Sequence, residues 1–243
     1  MSRGSRAADS EMERARFRKE MERLESVLLK DAGLAFGRKE LLHQAFQHRS
    51  YLKDNKRALS YERLEFLGDR VLELCVSKWL FDQNPDSDEG ALSKELAWRV
   101  DEANLARAEK DLQIRRALRV SRDMGLEEIS DKMVADVVEA LIGAIYIDVG
   151  LDAAWRFIDA FVPLKGRPPA DFHSTNQLLE TCVSMGLPAP RFNEASEGPD
   201  NDAKWMVECV VGNERTIGLG RRKREAKKEA CQAMLSLLSG NRD

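Results

Sequence analysis

Five carboxylates in two apolar stretches carry the chemistry this sequence offers. The first stretch reads Tyr61-Glu62-Arg63-Leu64-Glu65-Phe66-Leu67-Gly68-Asp69-Arg70-Val71-Leu72. A helix turning about 100° per residue puts Glu62, Glu65 and Asp69 on one face, flanked by Leu64, Leu67, Val71 and Leu74. Asp136 and Glu139 lie three apart inside the very apolar residues 134–147. Burying a carboxylate is costly unless something neutralises it. Two such helices can meet and share a divalent cation. Hard oxygen ligands without nearby histidine or cysteine point to Mg²⁺ or Mn²⁺. Acids three or four apart also form solvated faces with Lys or Arg partners, and either segment alone leaves both readings open. The apolar setting of Asp136 and Glu139 favours a metal site, because Lys132 is the one cation within a turn on that face.

These acids need helices to hold them. Helical patterns cover residues 11–30, 39–48, 61–84, 93–110, 132–149 and 151–162. Gly33, Gly37, Asn84-Pro85, Gly90, Gly125 and Gly150 punctuate them. No strand pattern occurs in this part, which reads as an all-α domain over residues 11–162. Residues 1–10 are small and polar, and disorder is expected there. Proline and glycine in Val162-Pro163-Leu164-Lys165-Gly166-Arg167-Pro168-Pro169 then end helical structure, marking a stiff linker over 163–172.

A different pattern follows. Residues 175–185 read as a helix, and 191–196, 204–211 and 215–219 as strands. In the middle strand Trp205, Val207, Cys209 and Val211 alternate with Met206, Glu208 and Val210. Residues 222–238 return to helical period, with Ala226, Ala230, Ala233, Met234 and Leu237 on one side. The expectation is a small α+β domain of order α-β-β-β-α over residues 173–240.

That last helix opens on Gly218-Leu219-Gly220-Arg221-Arg222-Lys223-Arg224-Glu225-Ala226-Lys227-Lys228. A helix N-terminus favours phosphate through its free amides, and a cationic cluster there adds to this. Such a cluster can span the narrow major groove of an A-form duplex and read its shape. Binding of that kind weakens with salt. A solvated basic helix or a targeting signal fits the cluster alone equally well.

Composition narrows the class. The chain has 243 residues, 43% hydrophobic and 33% charged, with 39 basic against 42 acidic residues, so 39 − 42 = −3. This excludes general disorder, a collagen-like fibre, a membrane-buried protein and a uniformly basic nucleic-acid coat. It leaves a local basic patch open. Cys75, Cys182, Cys209 and Cys231 lie far apart, so a disulfide scaffold or zinc site is not expected and a cytoplasmic setting is. The charged N-terminus is not expected to be a secretory signal. The longest apolar run, residues 140–147, is far short of the roughly 20 that span a bilayer. His48 is expected to pack or cap rather than catalyse. Trp79, Trp98 and Trp155 are expected in the core or an interface, and Trp205 in the core.

Four ordered motifs carry a resemblance. Glu62-Arg63-Leu64-Glu65-Phe66-Leu67-Gly68-Asp69 resembles the signature of the ribonuclease III family. Leu41-Leu42-His43-Gln44-Ala45-Phe46-Gln47-His48-Arg49-Ser50-Tyr51 resembles the motif before it, and Asp88-Glu89-Gly90-Ala91-Leu92-Ser93 the turn after it. The stretch from Asp131 to Ala144 resembles the second acidic motif. The C-terminal part looks like a double-stranded RNA-binding domain. Asn176-Gln177-Leu178-Leu179-Glu180 is similar to its first helix, and Gly198-Pro199-Asp200-Asn201 to its first strand loop.

The resemblance implies an all-α, Mg²⁺-dependent endonuclease (Mn²⁺ as a substitute) that cuts double-stranded RNA as a homodimer through its catalytic domain, with no membrane. Metal ligands would fall on Glu65, Asp69, Asp136 and Glu139. Glu62 and Glu89 would serve near the dimer seam and the cleavage site, and Lys132 near the scissile phosphate. Glu180 and Asn201 would contact the minor groove, and Lys223, Arg224 and Lys227 the phosphates. Products would be 5′-phosphate and 3′-hydroxyl ends with short 3′ overhangs, from ribosomal RNA precursors and structured messenger RNA. Two positions depart from the family pattern. Arg70 stands where a small residue is usual, and it can pair with Glu73 and point away, or crowd the site. Asn201 stands where a histidine is frequent. A catalytically silent RNA-binding dimer is the alternative. The presence of all six acids favours the enzyme over it.

Overall fold

A computed structural model describes residues 3–166, 174–197 and 204–240, and the side chains from residue 11 onward except that of Asn176. The chain divides into two compact units, Met1–Gly166 and Arg167–Asp243.

The first unit is helical. Its elements are α1 (Arg3–Ala32), α2 (Lys39–Ala45), α3 (Glu62–Gln83), α4 (Glu89–Arg99), α5 (Glu102–Leu105), α6 (Glu109–Leu112), α7 (Ile114–Ala117), α8 (Asp131–Asp148) and α9 (Leu151–Phe161). Short 3-10 turns lie at Arg49–Lys53, Ala106–Ala108 and Leu126–Glu128. Helix α8 is the axis of the core, with Val134, Ala135, Val137, Val138 and every residue from Ala140 to Ile145 buried. A helix this apolar through its middle must be packed against on most of its sides. Leu64, Val71, Leu72, Val76 and Leu80 of α3 pack in the same core as Leu24 and Leu28 of α1 and Phe157 and Ile158 of α9.

Four expectations are corrected here. The backbone of α1 is helical from Arg3, where disorder was expected to residue 10. Beyond Gly4, no glycine or proline interrupts that helix. The single helix expected over 93–110 is three helices and a 3-10 turn. Asp88 starts α4 early by accepting from the Ala91 amide at 2.8 Å, and Asp101 restarts the chain at α5 by accepting from Ala103 at 3.0 Å. The helix expected to run to residue 48 stops at Ala45. Beyond it Phe46 and His48 bond through their backbones to Arg119, at 2.8 and 3.0 Å. Leu74, expected beside the buried face, is 58% exposed. It lies about 120° round α3 from the centre of the buried stripe.

The second unit is α10 (Ser174–Ser184), β1 (Arg191–Glu197), β2 (Lys204–Val211), β3 (Glu214–Gly220) and α11 (Lys223–Gly240). The strands form an antiparallel sheet of order β1-β2-β3, with Val207 opposite Glu194 and Gly218. Val207, Cys209 and Val211 face Leu178 and Cys182 of α10 and the buried side of α11 in one core. Trp205 is half-buried against that core. On α11 the buried residues are Ala226, Ala230, Cys231, Met234 and Leu238. Ala233, expected among them, is exposed and Leu237 half-exposed. Each four-residue step advances the stripe about 40°, which turns Ala233 away from the sheet.

Candidate functional site

Helices α3 and α8 cross at backbone contact. A Cβ on Gly68 would sit 1.7 Å from the Glu139 carbonyl oxygen, and one on Gly143 would sit 2.2 Å from that of Leu64. Only glycine permits such an approach. The crossing sets Glu65 of α3 against Asp136 and Glu139 of α8. One carboxylate oxygen from each of the three lies within 4.8 Å of the other two, and all three residues are half-buried. Glu65 and Asp136 border a cleft of about 300 Å³ lined also by His48, Arg49, Tyr61, Glu62, Ser130, Lys132 and Met133.

Like charges under partial burial raise one another's proton affinity. Burial, with the charges of Asp69, Asp136 and Glu65, pushes the Glu139 carboxyl up to about 8. Burial and then Asp136 also raise Glu65. Lys132 answers part of this charge, its ammonium 2.8 Å from Asp136. The Tyr61 hydroxyl makes a longer contact to the other Asp136 oxygen, 3.4 Å, and burial together with Asp136 holds its proton on. The donor set is hard oxygen, crowded and incompletely neutralised. It fits a divalent cation of the Mg²⁺ or Mn²⁺ kind.

Asp69 does not join the three among the described residues. Its carboxylate is held by Arg70, which also donates to Glu73 at 2.7 Å. The pairing with Glu73 read from the sequence is present, the hold on Asp69 is an addition to it, and Arg70 does not line the cleft. The angular order on α3 explains this: Glu65 lies nearest the buried stripe, Asp69 farther round and Glu62 farther still. Glu62 is at the cleft rim, accepting from the Ser60 hydroxyl at 2.8 Å and lying 3.9 Å from Arg49. Glu89 opens α4 and accepts from the Ser93 hydroxyl at 2.9 Å, and it does not line the cleft. His48 caps the turn at Arg49–Lys53, its Nδ1 accepting from the Ser50 amide at 3.2 Å. Tyr61 and Ser130 were not read from the sequence as cleft residues. Tyr61 carried a signal, since it stands one helical turn before Glu65.

In the second unit, glycine again sets the packing. A Cβ on Gly218 would lie 2.0 Å from the Ala226 carbonyl oxygen, so β3 rests directly on α11. At the head of α11, Glu225 accepts from the Arg221 and Arg222 amides at 3.1 and 3.3 Å. Lys223 pairs with Glu194 of β1 at 2.5 Å, and the Lys227 ammonium sits 4.2 Å from the centre of the Phe192 ring. Arg224 is exposed on this end and Glu180 is exposed on α10. Asn201 lies outside the described residues.

Comparison with known proteins bears on both units. Residues 38–164 match the family model described as ribonuclease-III-like, and residues 174–238 match the double-stranded RNA binding motif. Ribonuclease 3 of Rhodopseudomonas palustris is 38% identical over 211 residues, covering 84% of this chain and 77% of that protein. Ribonuclease 3 of Phenylobacterium zucineum is 40% identical over 215 residues, covering 84% and 88%. Ribonuclease 3 of Chloroflexus aggregans is 35% identical over 213 residues, covering 84% and 93%. A helical unit built round a carboxylate crossing, followed by the RNA-binding α-β-β-β-α unit, places the chain in the ribonuclease III family of endoribonucleases acting on double-stranded RNA.

Proposed function

We propose that this endoribonuclease depends on Mg²⁺, or Mn²⁺ in its place, held by Glu65, Asp69, Asp136 and Glu139. The convergence of three of these carboxylates within 4.8 Å carries the reading. When bound, the cation supplies Lewis acidity at the phosphodiester and lowers the pKa of water. The chain's own groups do the rest. The Gly68–Gly143 crossing fixes the spacing of the acids. Lys132 steadies Asp136 and offers positive charge to a phosphate. Glu62 at the rim and Glu89 at the head of α4 serve beside the cut. Hydrolysis leaves 5′-phosphate and 3′-hydroxyl ends, and two offset sites leave short 3′ overhangs. Substrates are ribosomal RNA precursors and structured messenger RNA.

The duplex is held by the second unit, through Lys223, Arg224 and Lys227 on phosphates and Glu180 and Asn201 on the minor groove. Residues 11–162 form the catalytic domain, 163–172 the linker and 173–240 the binding domain. A homodimer forms through the catalytic domain. Phe66, Leu74 and Phe81 expose 74%, 58% and 68% of their surface along α3, beside a cleft lined by Trp79, Leu151 and Trp155. Exposed apolar groups so concentrated mark an interface. Among the described residues no helix is long and apolar enough to cross a membrane. The four free, buried cysteines suit a reducing cytoplasm.

Labelled duplex RNA incubated with and without Mg²⁺ tests the proposal. Cleavage should require Mg²⁺, and Glu139→Gln should abolish it while the RNA stays bound. Full activity of that variant removes Glu139 from the mechanism. Arg70's hold on Asp69 favours the alternative, a silent RNA-binding dimer. Duplex that stays intact at every Mg²⁺ concentration would establish it.

A further inference from the structure

Arg70 departs from the family pattern, and its place in the structure is specific. Its guanidinium spans two carboxylates of its own helix, touching Asp69 with one nitrogen and donating to Glu73 at 2.7 Å with the other. The side chain is 60% exposed, against 30% for Asp69 and 38% for Glu73. Glu65, Asp136 and Glu139 gather without Asp69, although its charge is near enough to help raise the Glu139 carboxyl.

A hard cation takes its oxygens at about 2.0–2.6 Å. A carboxylate engaged by a guanidinium must release it, at least in part, to come that close. The guanidinium charge also repels a cation directly. Both effects act in one direction. Glu73 anchors the far end of the fork, so Arg70 is held beside Asp69 rather than swinging freely into water.

We propose that Arg70 is a positioning residue that holds Asp69 off the three-carboxylate cluster and so raises the divalent-cation concentration the site needs. The proposal rests on reading the cluster as a cation site. It gives Arg70 a role in setting the metal threshold of the enzyme, separate from holding the cation. The effect is modest, because an ion pair this exposed is largely screened by water. Releasing it should tighten cation binding roughly two- to fivefold.

The test is Mn²⁺ binding to the full chain without RNA, followed by the electron paramagnetic resonance signal of free Mn²⁺. Glu139→Gln should weaken the site. Arg70→Ser should tighten it two- to fivefold, and Arg70→Gln, which keeps the stem and drops the charge, should do the same. Asp69→Asn should weaken it, and adding Arg70→Ser to Asp69→Asn should tighten it far less than in the wild-type background, since only the direct repulsion is then relieved. Wild-type binding that Glu139→Gln weakens but neither Arg70 variant tightens would overturn the proposal alone. So would tightening of equal size in the Asp69→Asn background, since Arg70 would then act by general charge and not through Asp69. Wild-type binding that Glu139→Gln leaves untouched would remove the cation site and the proposal together.

Discussion

Glu139 holds its proton more tightly in the folded chain than in the unfolded one. Its carboxyl is displaced from the ordinary 4.5 to about 8, chiefly by burial and then by Asp69 and Asp136. Across that window the folded state binds more protons than the unfolded state, so stability falls as pH rises. The loss begins above about pH 4.5 and is complete above about pH 8. Glu65, shifted the same way, adds to it. Calorimetry in a chelator should show the melting temperature dropping from pH 5.5 to 8.5, with a shallower drop for Glu139→Gln. Mg²⁺ added at pH 8.5 should recover much of it, because it neutralises the same carboxylates. Glu65, Asp136 and Glu139 were legible in the sequence, since their spacing and apolar setting follow helical period directly. For Arg70 the sequence offered a pair with Glu73 or crowding of the site, and the Asp69–Arg70 pair was not legible. Neighbours in sequence point about 100° apart on a helix, and whether their ends meet depends on rotamers that period does not encode.

At the scale of elements, the crossing of α3 and α8 decides whether the acids meet. Gly68→Ala puts a methyl 1.7 Å from the Glu139 carbonyl, which no side-chain adjustment relieves. The helices must separate, at a cost of about 1–3 kcal/mol or more for overpacking. Urea titration should register a loss of that size, and Mn²⁺ affinity should fall with it. Unchanged stability would mean that the crossing is looser than the structure has it. The long helices α3, α8 and α9 were legible to within a residue or so, because unbroken apolar stripes fix them. The region from Glu89 to Leu112 was not. Its side-chain caps at Asp88 and Asp101 compete with helix continuation, and that competition is settled by local bonds rather than by periodicity.

For the molecule as a whole, the exposed apolar line of Phe66, Leu74 and Phe81 predicts self-association. Phe66→Glu should convert a dimer to a monomer in sedimentation velocity, and a variant that remains dimeric would move the interface elsewhere. The division into a helical and an α-β-β-β-α part was plain in the sequence, from the change of period on either side of the prolines. The drift of the α11 stripe was not plain, because successive four-residue steps rotate the buried face along a helix of 18 residues. The glycines that let α3 lie on α8 also limit how this protein can change. Replacing a mid-helix glycine by alanine is a common route to a hardier enzyme, gaining about 1 kcal/mol of helix propensity. At Gly68 and Gly143 that route is closed. Heat-tolerant descendants of this chain must find their gains elsewhere, leaving two weak helix formers at the centre of the fold.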